Sequence, residues 1–162
     1  MSVLALDKLA ATFGDAVIEK HSKPDDVAVV TREVIVAVLR FLRDDPDLKF
    51  NLCSTVTAID GLHLGREPRF EVIYQLYSTV KKHRVRVKCR VPEEDPSIDS
   101  SVPIYAGNNW LERECWDMFG IKFKGHPDLR RMFLWKTFEG HPLRKDYPKD
   151  RRQPLARREG LT

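Results

Sequence analysis

Six carboxylates, a thiol and two histidines are gathered in one stretch, Glu112 to Pro148, which reads ERECWDMFGIKFKGHPDLRRMFLWKTFEGHPLRKDYP. Glu112 and Glu114 are near enough in sequence to form a general acid–base pair. Glu114, Asp117 and His126 are residue types that a metal-dependent hydrolase would use, and Cys115, His126 and His141 are types that bind zinc. The spacing speaks against each reading. The chain has no C-x-x-C and no H-x-x-x-H, and the candidate ligands fall on dissimilar elements. Acids at a helix N-terminus are also what the helix dipole attracts. Histidines in Gly-His-Pro turns serve most simply by bonding backbone. A segment with this much mixed charge and no nucleophile–base pair or phosphate loop reads as a surface that grips another.

The element that must carry the acids is a helix. Asn109 with Glu112 matches a capping box, so the helix is placed over Trp110 to Phe119, with Gly120 as its stop. Leu111, Cys115, Met118 and Phe119 recur at helical spacing as its buried stripe. Arg113 and Asp117 are four apart and can pair along it, while Glu112 and Glu114 sit at its positive end. Beyond it come Gly125-His126-Pro127, Gly140-His141-Pro142 and the basic pairs Arg130-Arg131, Arg144-Lys145, Arg151-Arg152 and Arg157-Arg158. Trp135, Phe138 and Tyr147 interleave with these cations, as in RNA-binding arms. An RNP stretch, a GXXG loop and Cys/His fingers are all missing. The apolar run Met132-Phe133-Leu134-Trp135 would leave a hydrophobic patch unless covered, which favours a protein partner. The tail after Tyr147, with Pro148 and Pro154, is read as extended or disordered by itself.

The preceding body is expected to be α+β: a small, mainly antiparallel sheet with helices packed on it, followed by a long, partly extended basic arm. A short helix is read over Leu4 to Phe13, and short strands over Ala16 to Glu19 and Val27 to Val30. Thr31 can cap a helix from Arg32 to Arg43, with Val34, Ile35, Val38, Leu39 and Leu42 on its apolar face. Strands over Phe50 to Ile59, Arg69 to Ser78 and His83 to Val91 form an antiparallel meander. The last alternates Val85, Val87, Cys89 and Val91 against Arg84, Arg86, Lys88 and Arg90. Those cations read as a solvated face balanced by carboxylates such as Glu71, and Cys89 as a small core residue. The 162 residues form one domain, with a body over 1–120 that includes the acidic helix and an arm over 121–162.

Charge divides the same way. Residues 120–162 carry a balance of +7 and residues 1–119 a balance of −3. Such asymmetry points to an anionic partner: nucleic acid, lipid headgroups or an acidic protein surface. No apolar run approaches the ~20 residues of a membrane span, and the start MSVLALDKLAATFG is read without a signal peptide. Three widely spaced cysteines argue against a disulfide framework.

Glu112, Arg113, Glu114, Asp117, Met118, Phe119, His126, Arg130, Met132 and Phe133 follow the pattern of a known family signature, and Gly140 to Pro148 is similar to its second hallmark. The chain resembles the C subunits, the 30 kDa subunit family, of respiratory complex I, the proton-translocating NADH:quinone oxidoreductase. The resemblance implies a member of the peripheral arm with no redox centre and no catalytic, cofactor or metal site. FMN, iron–sulfur clusters, NADH and quinone would belong to the rest of the complex, and three scattered cysteines agree, since a cluster usually takes four ligands. It implies packing beside the large D subunit, and also against the B, G and I subunits. Nucleic acid would not bind, and the membrane would be touched only through the complex, on the cytoplasmic side of the bacterial inner membrane. The implied interface residues are Glu112, Arg113, Glu114, Asp117, His126, Arg130, Arg131, His141, Pro142, Leu143, Arg144, Lys145, Asp146 and Tyr147, with the arginines and Lys145 reaching acids or carbonyls. Membrane-bound hydrogenases, the reduced-deazaflavin dehydrogenase and the photosynthetic NDH complex use similar subunits. A basic RNA-binding module is the reading from a different class.

Overall fold

In the computed structural model, which describes residues 2–154, the strands and the helices that cover them follow from alternating and helical apolar spacing. Helix α1 (Ser2–Phe13) leads through a short turn into β1 (Val17–His21) and β2 (Val27–Val30). Helix α2 (Ile35–Asp44) then crosses to β3 (Leu52–Asp60), β4 (Phe70–Ser78) and β5 (His83–Val91). The five strands form one sheet in the order β1-β2-β5-β4-β3. Every neighbouring pair is antiparallel except β2 with β5. That parallel pair exists because α2 carries the chain across the sheet before the β3–β4–β5 meander returns it beside β2.

One face of the sheet is the core. Phe70, Val72, Tyr74 and Leu76 of β4 lie opposite Val91, Cys89, Val87 and Val85 of β5, and all are buried. Ala5, Leu6 and Leu9 of α1 and Ile35, Val38, Leu39 and Leu42 of α2 cover them. On the opposite face Lys88 pairs with Glu71 at 2.8 Å, Arg86 with Asp25 at 3.1 Å and Arg90 with Glu19, while Arg84 lies over the Tyr77 ring. Three of the four cations on this face of β5 are therefore paired with carboxylates, Glu71 among them as the alternation implied.

One boundary departs from expectation. Residues Arg32–Val34 form a tight 3-10 turn, the α-helix starts only at Ile35, and the Thr31 side chain makes no cap bond. Arg32 instead reaches out to the carbonyls of Asp95 and Ser97, at 2.9 and 3.3 Å, which holds this turn against the later chain.

After β5 the chain forms β6 (Ser97–Asp99), helix α3 (Asn108–Phe119) and β7 (Lys122–Lys124), with β6 and β7 paired in parallel. Helix α3 packs on β3 and joins Ile98 and Phe123 to the same core. From residue 125 to 154 the chain has turns and no regular element, and it folds back along α3. The final basic pair, Arg157-Arg158, lies outside the described residues. Among the described residues no helix is long and apolar enough to cross a membrane.

Candidate functional site

Helix α3 is unusual in what it buries: Asn108, Glu112, Arg113 and Asp117 lie inside together with Cys115 and Phe119. The capping box does not form. Gly107 is the N-cap, it gives no side-chain bond, and Asn109 lies within the helix. Asn108, Glu112, Cys115 and Phe119 share one face, turned to the body, while Arg113 and Asp117 occupy a second face, covered by the returning arm. A single amphipathic stripe was expected. Two covered faces explain why Leu111 and Met118 are only half-buried and the polar residues fully so.

On the body face, Glu112 ties down the loop before the helix. Its carboxylate accepts from Ser100 Oγ at 2.6 Å and from the Ser101 N–H and Oγ at 2.7 and 2.5 Å. Asn108 donates to the same Ser101 hydroxyl at 2.8 Å. Among the described residues no cation pairs with this carboxylate, so burial pushes the Glu112 carboxyl up, and the serine donors pull it back only in part. A raised carboxyl favours folding while protonated. That contribution is complete below the ordinary value of 4.5 and is lost as pH rises through the folded-state pKa. Glu112→Gln is thus expected to stay within about 1 kcal/mol of the parent and to gain on it as pH rises in urea melts. Glu112→Ala strands three buried donors and should cost about 2–4 kcal/mol. Equal losses for both variants would contradict this.

On the arm face, Asp117 is the anchor. Arg131 donates to its Oδ1 at 2.7 Å, and the consecutive N–H groups of Met132, Phe133 and Leu134 converge on Oδ2 at 3.1, 2.9 and 3.0 Å. Burial pushes this carboxyl up, but the three amides and Arg131 outweigh it and hold it below the usual aspartate range. Arg113 does not pair with Asp117 along the helix. It turns instead to the carbonyls of Arg130 and Arg131, at 3.2 and 3.3 Å, because the arm offers Asp117 better donors.

The second motif closes the end of α3. A helix leaves its last carbonyls without partners, and four are taken up in turn here. Gly120 N–H caps Trp116 at 2.8 Å, His141 Nδ1 donates to Asp117 O at 3.0 Å, Leu143 N–H to Met118 O at 3.1 Å and Arg144 Nε to Phe119 O at 2.6 Å. The Arg144 charge also suits the negative end of the helix. Gly120 permits this approach: φ is +76°, and a Cβ there would stand 2.5 Å from His141 Cδ2 and 2.7 Å from Arg144 Nη2.

Past Arg144 the chain docks on the sheet edge. Lys145 N–H donates to Asp60 at 2.8 Å, and Asp146 pairs with Arg69 at 2.8 Å, while Arg69 is also paired with Asp60 at 2.7 Å and with Glu93. Burial disfavours the Asp60 charge, yet Arg69 and the Lys145 and Leu62 amides hold its carboxyl far below the usual range. Tyr147 stacks on Phe138, with its hydroxyl accepting from Gln153 at 2.8 Å. Arg151 pairs with Glu139, so the chain after Tyr147 is tied back as far as it is described.

The remaining expected residues do not converge on a catalytic centre. Glu114 is exposed. His126 donates through Nε2 to Asn109 O at 3.1 Å and accepts the Asp128 N–H through Nδ1. Arg130 is exposed and pairs with Asp128, and Pro142 is half-buried. Cys53, Cys89 and Cys115 are buried thiols, all pushed up by burial, Cys53 to about 11, so none is a ready nucleophile. Among the described residues no three His, Cys, Asp or Glu side chains could hold a metal ion together. Sequence reasoning missed Asp60, Arg69, Ser100, Ser101 and Asn108. Asp60 had looked like a turn residue, and its partner Lys145 lies 85 positions on, beyond any local spacing signal.

Known proteins resemble this chain over most of its length. The model of a family described as respiratory-chain NADH dehydrogenase, 30 kDa subunit, matches residues 28–153. The NADH-quinone oxidoreductase C subunit of Roseiflexus sp. (strain RS-1) is 46% identical over 144 residues, covering 88% of this chain and 82% of that protein. The corresponding C subunit of Geobacter sulfurreducens is 45% identical over 146 residues, covering 89% of this chain and 88% of that one. Among solved structures, Nqo5 in its trypsin-resistant fragment (1-134) superposes with a TM-score of 0.69 at 31% identity, covering 80% of this chain and 100% of the fragment. A chain of the archaeal membrane-bound sulfane sulfur reductase superposes with a TM-score of 0.73 at 21% identity over 92% of this chain and 87% of that one, a likeness of fold.

Proposed function

The chain belongs to the family of the 30 kDa subunit of respiratory-chain NADH dehydrogenase, and from that premise we propose that its work is positional. It is the C subunit of an NADH-quinone oxidoreductase, part of an oxidoreductase complex whose other subunits are its partners. Within that complex it buttresses a neighbour and carries no redox centre. The neighbour is the large D subunit, with the B, G and I subunits also in reach, on the cytoplasmic face of the membrane. The arm from residue 121 onward is the docking part and the body over 1–120 its platform.

The observation that carries this reading is how the motif residues are used. His141, Leu143 and Arg144 close the α3 carbonyls, Asp117 holds the Met132 to Leu134 backbone, and Lys145 and Asp146 fasten the arm to Asp60 and Arg69. These are the acts of a rigid mount. The arm so held presents Phe133, 64% exposed, and Leu143, 49% exposed, with Trp110, 60% exposed, on α3 itself. Large apolar side chains left outside on an otherwise well-fastened segment are what an interface between subunits requires.

The test is a mild-detergent pull-down of the N-terminally tagged chain from its host's membranes, with NADH:quinone activity assayed in the same fraction. A large assembly with that activity, including a D-type partner, is expected. Recovery with a hydrogenase-type large partner and no NADH activity would place the chain in a sister complex. A lone monomer, or one carrying RNA, would overturn the reading.

A further inference from the structure

Between α3 and the returning arm lies a groove of about 890 Å³ walled by Trp116, Leu129, Leu134 and Trp135, and lined as well by Arg113, Arg131, Arg130 and Lys136. We propose that this groove receives an acidic segment of a neighbouring subunit, placing one carboxylate beside an aliphatic or aromatic side chain. The proposal rests on the assembly reading above and names the chemistry of one contact within it.

Arg113 carries the argument. It is only 6% exposed, yet among the described residues no carboxylate pairs with it. Its partners are the two carbonyls on the arm, at 3.2 and 3.3 Å, and the face of Trp110, 4.8 Å from its guanidinium. A cation removed from water without a counter-charge is costly, and a carboxylate supplied from outside relieves it. Arg131 cannot play that part, since Asp117 already neutralises it. Two more charges flank the groove: Arg130 is held only by the exposed Asp128, and Lys136 has no ion pair among the described residues. Among the described residues no acidic side chain lines the groove.

The walls decide what brings the carboxylate. A nucleic acid offers a row of phosphates and bases that stack on free ring faces. Here the cations converge on one hollow whose walls are two leucines and two tryptophans, and neither indole is a free stacking platform: Arg131 lies over Trp116 at 5.7 Å, and Trp135 packs edge-to-face with Phe138 at 4.9 Å. A single acid next to an apolar side chain, the composition of a peptide, matches both charge and wall.

The experiment has two parts and uses the full chain in its host. A photo-crosslinking benzoylphenylalanine replaces the exposed Thr137, membranes are irradiated, and the attached peptide is sequenced. One peptide of a neighbouring subunit is expected, with Asp or Glu within a few residues of the attachment. In parallel, Arg130→Glu with Lys136→Glu should lower recovery of the neighbouring subunits about tenfold at unchanged melting temperature. Arg84→Glu, on the far face of the sheet, should leave it unchanged. Crosslinks to lipid or nucleic acid, to a peptide without acids, or full recovery with the double variant would each overturn the groove proposal. If the wild-type chain itself recovers no other subunits, the assembly reading fails and this one with it.

Discussion

Gly120→Ala is expected to lower the melting temperature of the chain by roughly 10 °C. Two costs combine. A Cβ at φ +76° is strained by about 1–2 kcal/mol. The same Cβ would stand 2.5 Å from His141 and 2.7 Å from Arg144, displacing the groups that satisfy Asp117 O and Phe119 O. Each carbonyl so deprived of its donor adds about 1 kcal/mol or more. The total of about 3–5 kcal/mol converts at about 2–4 °C per kcal/mol for a domain of this size. Gly14→Ala is the control: its φ is +50° but nothing lies within 4 Å of the added carbon, so only the backbone strain remains. Equal melting points for the two variants would show that the motif does not close on α3.

Asp117→Ala should be as damaging, about 3–5 kcal/mol, because it leaves three backbone N–H groups without their acceptor and Arg131 without its counter-charge, held only by the Phe138 and Gly140 carbonyls. Its signature is in the pH dependence. The Asp117 carboxyl is held below its ordinary value of 3.8, so the folded state gives up the proton more readily than the unfolded one. That stability is fully present above 3.8 and is lost as pH falls through the folded-state pKa. The variant should therefore lose less stability than the parent on acidification below that point. Asp60, held far below its ordinary value by Arg69 and backbone amides, also loses its contribution as pH falls below 3.8, so the slope shrinks without vanishing. His141 adds an earlier step. Burial and the neighbouring Arg144 and Arg131 charges lower its pKa from 6.5, so its contribution starts to fade as pH drops below that value. Denaturant melts from neutral to acid pH on parent and variant read all of this, and parallel curves would refute the role given to Asp117.

What was legible in the sequence had a local cause. The alternation of Val85, Val87, Cys89 and Val91 with four cations located β5 at its observed bounds, and Gly120 marked the end of α3 correctly. The meander followed from short connections, and the family from two long motifs. What was not legible depended on contacts distant in the chain. The parallel β2–β5 pair joins Val27 to Arg86 and Val30 to Cys89, residues far apart in sequence. The expected surface of α3 was wrong for the same reason. A helix read alone shows one apolar stripe, so Glu112 looked like an N-terminal acid and Asp117 like a partner for Arg113. Only the arm, folded back from residues 130–147, turns the Arg113–Asp117 face into an interior, and only the Ser100–Ser101 loop closes over Glu112 on the other. The Asp60–Arg69–Asp146 cluster, assembled from three separate segments, left no spacing to detect.

On the proposed function the chain contributes position and not chemistry to NADH:quinone oxidation. Expressing Asp117→Ala in place of the native chain tests this most directly. The amount of assembled complex and the NADH:quinone turnover per assembled complex are then measured on the same membranes. A structural member with a loosened arm should reduce assembly and total activity together, with turnover per remaining complex unchanged. Full assembly with turnover cut severalfold would contradict that role and place this chain within the reaction itself.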